Sequence, residues 1–229
     1  MELNADFAQR AVVRPEDGEW IASPSAGVDR WMLDRLGDEV ARATSLVRYA
    51  AGSRFPRHTH GGGEEYLVLD GTFSDESGDH GPGTYVRNPV GTGHAPFTDP
   101  GATILVKLWQ FQAGDDRPVT IDTGTGEFQP TGRPGVSKLP LHEFGTEKVA
   151  LLHFEAGTEV PPHDHQGGEE IYVIDGDLAD EHGTYPAGTW LRNPDGSRHG
   201  HRSDGGCLLY VKSGHLTPGA PELTAPDAR

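Results

Sequence analysis

Apolar residues along the chain come in short runs, each closed by Gly, Pro, Asp or Asn. Leu46–Tyr49, Tyr66–Leu69, Thr84–Arg87 and Thr103–Lys107 either alternate or are apolar throughout, as strands with one or two buried faces do. Many such runs at regular spacing predict an all-β chain folded as antiparallel sandwiches or closed barrels. One stretch reads differently. Trp31, Leu33 and Leu36 stand among Arg and Asp within Asp29–Val40 and suggest a helix, although the matching segment of the second half contains Pro140.

The pattern also repeats. A shift of 105 residues lays Gly52–His60 over Gly157–His165, Glu64–Gly71 over Glu169–Gly176 and Gly83–Pro89 over Gly188–Pro194, all without a gap. That period is the size of a small domain and far above the roughly 20–50 residues of a solenoid repeat. Two similar domains are expected: residues 1–113 and 135–218, joined by a Gly-, Pro-, Thr- and Asp-rich linker at 114–134 and followed by a polar tail at 219–229. The N-terminal 30 residues have no obvious counterpart in the second copy. They read as an added strand for either barrel, or as cover for a surface.

Composition narrows the partners. With 19 Lys and Arg against 35 Asp and Glu, the formal charge is −16, which repels a polyanion and argues against nucleic acid. No apolar run approaches the roughly 20 residues of a membrane span. The opening MELNADFAQR lacks the features of a signal peptide, so a cytoplasmic protein is expected. A single cysteine, Cys207, rules out an internal disulfide and a cysteine-built zinc cluster. The two barrels are expected to pair within the chain, with a homo-oligomer left open.

The histidines carry the candidate chemistry. His58 and His60, two apart, project from one face of a strand. Glu64 follows three glycines that let the backbone turn, and His94 opens a later strand. Three imidazoles and a carboxylate can thus converge on one divalent ion. Nitrogen and oxygen ligands suit iron, manganese, nickel, cobalt or zinc, with no thiolate bias. The second copy repeats the set as His163, His165, Glu169 and His199 at identical spacing, so one ion per barrel is expected. Each copy also offers an adjacent acid, Glu65 or Glu170. Strand parity with Tyr66 and Val68 favours Glu64 and Glu169.

Gly52-x5-His58-x-His60-x3-Glu64-x6-Gly71 and Gly83-x5-Pro89-x-Gly91-x2-His94 resemble the two cupin motifs with every ligand position filled. The second copy fits equally, and only the usual asparagine after the second motif is replaced, by Thr98 and Ser203. The resemblance implies a bicupin: two tandem double-stranded β-helix, jelly-roll-like barrels. Phe55 to Glu65 and Tyr85 to Pro89 resemble, more narrowly, the cupin domain of ChrR-type anti-sigma factors, which implies zinc. In that family a separate domain with His and paired Cys ligands grips the sigma factor. With one cysteine, this chain is not expected to share that activity. Zinc and iron are the leading metals. One functional reading is a non-haem dioxygenase or related enzyme acting on a small molecule. The other is a non-catalytic zinc-binding sensor or regulator that answers to a small effector.

Other repeated polar residues have plainer readings. Arg87 and Arg192 either grip an anion or, as favoured here, pair with an acid such as Asp70 or Glu65. His80 and His182 are expected in solvent-facing loops, and His201 at the surface or beside the second metal site. Tyr66, Tyr85 and Trp190 either line pockets or pack the barrels. Cys207, beside Leu208 and Leu209, reads as a small core residue.

Overall fold

The computed structural model describes residues 1–38 and 40–216; the expected tail at 219–229 lies outside them. The chain is all-β, in two tandem jelly-roll-like units. One comprises residues 1–5 and 19–125, the other residues 6–18 and 126 onward.

In the first unit the main sheet runs Glu2–Leu3, Val28–Gly37, Ala41–Tyr49, Ala102–Leu108, Glu64–Gly71, Thr84–Asn88 and Val119–Asp122. Facing it, His58–Thr59 pairs with Gly93–His94, and Phe73–Asp75 pairs with Gly78–His80. The core between these layers is Val28, Val47, Tyr66, Val68, Phe73 and Ile104 with their neighbours.

The second unit repeats the plan. Its main sheet runs Gln129–Pro130, Val136–Phe144, Glu147–Phe154, Cys207–Ser213, Glu169–Asp180, Trp190–Asn193 and Ala11–Val13. Thr158–His165 pairs with Ser197–Ser203 on the other side. Cys207 sits in this core, as expected, with Val173, Leu178 and Tyr185.

The N-terminal residues divide between the two units. Glu2–Leu3 and Ile21–Ala22 flank Val28–Gly37 in the first. Ala11–Val13 instead closes the second unit's sheet, with Val12 opposite Leu191. The segment expected as linker holds two strands: Val119–Asp122 closes the first sheet against Thr84–Asn88, and Gln129–Pro130 opens the second. Both sheets therefore end on a strand that precedes the other repeat in sequence, which covers an edge left with unpaired backbone groups.

The helix suggested over Asp29–Val40 does not form; Val28–Gly37 is a strand. A β-bulge explains the misreading. Met32 stands opposite Ser45 and Asp34 opposite Thr44, so Leu33 is an extra residue. The insertion breaks the period of two and leaves apolar residues at a spacing that imitates a helix. The Asp34 carboxylate accepts the Thr44 N–H at 2.6 Å, in a buried position.

Candidate metal centres

In the first unit His58, His60, Glu64 and His94 come together, with one donor atom from each lying within 4.8 Å of all the others. Strand pairing sets this up. His58 lies directly opposite His94 in the two-strand ladder, and the His60 N–H donates to Thr92 O at 2.8 Å. The glycine turn then brings in Glu64 at the head of its strand. A Cβ on Gly62 would lie 2.2 Å from the Trp109 ring, and one on Gly63 2.3 Å from Phe111, at a φ of +77°. Only glycine fits a backbone pressed this closely against two aromatic faces.

Hydrogen bonding fixes the direction of the rings. Nδ1 of His58 lies 3.3 Å from Pro56 O, Nδ1 of His60 3.2 Å from Thr92 Oγ1, and Nδ1 of His94 2.8 Å from Asp75 Oδ2. Thr92 already donates its hydroxyl proton to Pro89 O, so towards His60 it accepts. All three rings thus carry their proton on Nδ1 and turn the Nε2 lone pair inward. The buried Nε2 atoms of His60 and His94 have no hydrogen-bond partner among the described residues. Glu64 Oε2 stands 3.4 Å and 3.5 Å from them and accepts from Asn88 Nδ2 at 3.1 Å. Converging unpaired lone pairs beside a carboxylate are costly to bury. A divalent ion would satisfy them, so the donor set fits one.

The environment separates the two buried imidazoles. Burial lowers the His60 pKa more than the Glu64 charge raises it. Burial also opposes charge on His94, but the Asp75 hydrogen bond and the Glu64 and Asp75 charges bring it above its ordinary value.

In the second unit His165, Glu169 and His199 form the matching group. Glu169 Oε1 lies 3.4 Å from His165 Nδ1, and Oε2 lies 3.4 Å from His199 Nε2. Burial works against the Glu169 charge, but the surrounding imidazoles bring its pKa down to about 2. His163 is close but turned aside. Its ring is 4.5 Å from that of His165, while its Nε2 faces the Arg133 guanidinium at 3.2 Å and its Nδ1 faces Pro161 O at 3.1 Å. Arg133 takes the lone pair that a metal ion would use.

Several neighbouring residues are placed differently from their sequence reading. His201 is buried, not at the surface, with its ring 4.3 Å from that of His199, because Ser197–Ser203 points His199 and His201 to one face. His80 is also buried, with Nε2 3.6 Å from Asp75. Its loop is part of a hairpin folded under the site. His182 is exposed, as expected. Arg87 is fully buried and pairs with Glu65 at 2.5 Å and with Asp115, so the favoured ion-pair reading holds. Arg192, equally buried, donates to Asp6 O and stacks on Phe7. Tyr66 lies in the first unit's core, and Tyr85 and Trp190 are almost wholly buried. Asp75 and Asp180 lie outside the histidine motifs, and the signal that marks them in the sequence is their register under the same shift as the histidines.

A cavity of about 430 Å³ opens onto the first group. His58, His60 and Glu64 line it together with Tyr49, Phe55 and Trp109. Volumes of this order suit small-molecule ligands.

The family model described as ChrR Cupin-like domain matches the chain twice, over residues 8–112 and 116–217. No curated protein matches it. Among solved structures, the chain is similar to a candidate dioxygenase from Nostoc punctiforme, with 17% identity, a TM-score of 0.71, and 96% of this chain and 84% of that one covered. It is similar to a candidate glyoxylate-induced protein from Pseudomonas aeruginosa, with 14% identity, a TM-score of 0.68, and 89% and 87% covered. Oxalate decarboxylase from Bacillus subtilis follows at 15% identity and a TM-score of 0.63, with 89% and 75% covered. At these identities the likeness is one of fold.

Proposed function

The chain belongs to the ChrR cupin-like domain family, in two tandem copies, and on that premise we propose that it is a metal-dependent enzyme of the non-haem dioxygenase class. The single observation that carries this reading is the cavity of about 430 Å³ against His58, His60 and Glu64. A purely structural ion needs no such space beside it, because structural sites are closed.

A divalent ion held by His58, His60, Glu64 and His94 would supply Lewis acidity and a template for the small molecule, with iron(II) the form suited to dioxygen chemistry. The rest is done by the chain. Asp75, Thr92 and Pro56 O hold three rings in one tautomer, and Asn88 steadies Glu64. Trp109, Leu108 and Val106 give the cavity apolar lining. Tyr49 presents a phenol there, and burial raises its pKa most, with the Glu64 charge adding to the rise. The hydroxyl stays protonated at neutral pH and can donate a hydrogen bond to an oxygen atom of a small molecule held in the cavity.

The second unit favours a different role. His165, Glu169, His199 and His201 are all buried, and His163 is held by Arg133. With three donors converging, this fits a weaker ion site used for sensing, with zinc the natural choice.

The test is metal content by plasma mass spectrometry on protein purified without added metal, followed by oxygen uptake after anaerobic iron(II) loading. Substrate-dependent uptake across β-diketone, flavonoid and hydroxyaryl-ketone panels supports the enzyme. Zinc in both units, with no uptake from iron-loaded protein, supports the sensor reading instead.

A further inference from the structure

The first unit's cavity is lined by two arginines as well as by the histidines. Among the described residues that line it, Glu64 is the one carboxylate beside Arg30 and Arg35. This stands against the −16 charge of the whole chain. Five residues apart on a regular strand, the two would face opposite ways. The bulge at Leu33 changes that: Arg30 stands opposite Val47 and Arg35 opposite Ala43, and Val47 and Ala43 are both cavity residues. Arg30 also shares its parity with Val28, a core residue. An arginine therefore occupies a position that strand periodicity reserves for the barrel interior.

Arg35 is engaged in part, through its contact with Asp38 O. Arg30 is the freer group. Among the described residues no hydrogen bond or ion pair holds its guanidinium, although its charge reaches the Tyr49 phenol, which Glu64 also reaches. A half-buried guanidinium without a carboxylate partner is an open anion site, with a planar fork that matches a carboxylate in two hydrogen bonds. Val28, Val47, Phe55, Val106 and Leu108 give the same cavity its apolar lining. In the second unit the strand corresponding to Val28–Gly37 is Val136–Phe144, where Lys138 and Glu143 follow Val136 at the spacings of Arg30 and Arg35 from Val28. Both are exposed, and their charges cancel.

We propose that the first unit's cavity binds a small monocarboxylate with a compact apolar body, its carboxylate held by Arg30 and the far end of the molecule facing the histidine group. This deepens the proposed function by naming its substrate class, and rests on that reading for the role of the metal.

The test is calorimetric titration of the full chain, loaded with redox-inert zinc, using benzoylformate and its neutral methyl ester. Benzoylformate should bind at least tenfold more tightly than the ester. Arg30→Gln should weaken benzoylformate binding about ten- to a hundredfold, the range for a hydrogen bond to a charged group, and leave the ester unchanged. Arg30→Lys should recover part of the loss. Circular dichroism and zinc content at wild-type values show that each variant is folded. Equal binding of acid and ester, no binding of either, or an unchanged affinity in Arg30→Gln would each overturn the proposal. Loss of the enzyme reading shows elsewhere, as absent oxygen uptake by iron-loaded protein, and leaves the acid–ester difference intact.

Discussion

Asp75 and His94 are joined by a contact of 2.8 Å between Oδ2 and Nδ1, and this contact sets the tautomer that turns His94 Nε2 towards the other ligands. The equivalent pair in the second unit is looser. Asp180 Oδ2 stands 4.0 Å from His199 Nδ1, because the carboxylate accepts from Tyr185 at 2.6 Å and pairs with Arg10 at 2.9 Å. Arg10 lies beside the strand Ala11–Val13, which enters the second unit from the start of the chain. The two candidate centres are built from matching residue types but differ in the groups behind them, and in His163, which Arg133 meets.

Removing the support behind His94 should therefore weaken the first centre alone. Asp75→Ala is expected to lower its metal affinity about 10–100-fold, the usual effect of losing such a partner. Competition with a fluorescent chelator would show one weakened and one unchanged site. A uniform loss at both sites would contradict the assignment.

The second centre should respond in the opposite sense to a change at Arg133. Arg133→Ala frees the His163 Nε2 lone pair, now met by the guanidinium at 3.2 Å, and removes a nearby positive charge. Metal affinity there should rise severalfold, read by the same competition. An unchanged affinity would mean that His163 stays outside the ligand set.

Arg87 should matter for stability. Its guanidinium is wholly buried between Glu65 and Asp115 and stacks over Phe111, 4.1 Å from the ring centroid. Arg87→Met strands two buried carboxylates, and breaking such a network costs about 3–5 kcal/mol. Urea unfolding followed by circular dichroism measures the loss. A cost below about 1 kcal/mol would place the pair among surface-like ion pairs.

Cys207 gives a pH-dependent readout. Burial pushes its thiol up to about 11 from an ordinary value of 9. The folded state keeps its proton above the unfolded thiol's pKa, so this group's stabilising contribution is complete below pH 9 and is lost as pH rises towards 11. At pH 8 Ellman's reagent should leave native protein unlabelled and find one thiol per chain in urea, the single cysteine of the sequence. Rapid labelling of native protein at pH 8 would contradict the burial.

The residues that come together at the sites were legible from the sequence because strand geometry is local. His58 and His60 share a face through a period of two, and the repeat writes the same set a second time. Alternating short runs fixed an all-β chain for the same reason. Where local order breaks, the reading failed. The bulge at Leu33 disguised Val28–Gly37 as a helix and hid the shared face of Arg30 and Arg35. Strand exchange depends on pairing between residues as distant as Val12 and Leu191, which no local pattern encodes. The lone pair of His163 and the burial of His80 and His201 were likewise decided by packing, because the direction of a ring depends on the neighbours that tertiary structure brings to it. Sequence by itself determined which donors each half carries; tertiary structure decided which lone pairs remain available, since that turns on contacts made across the barrel.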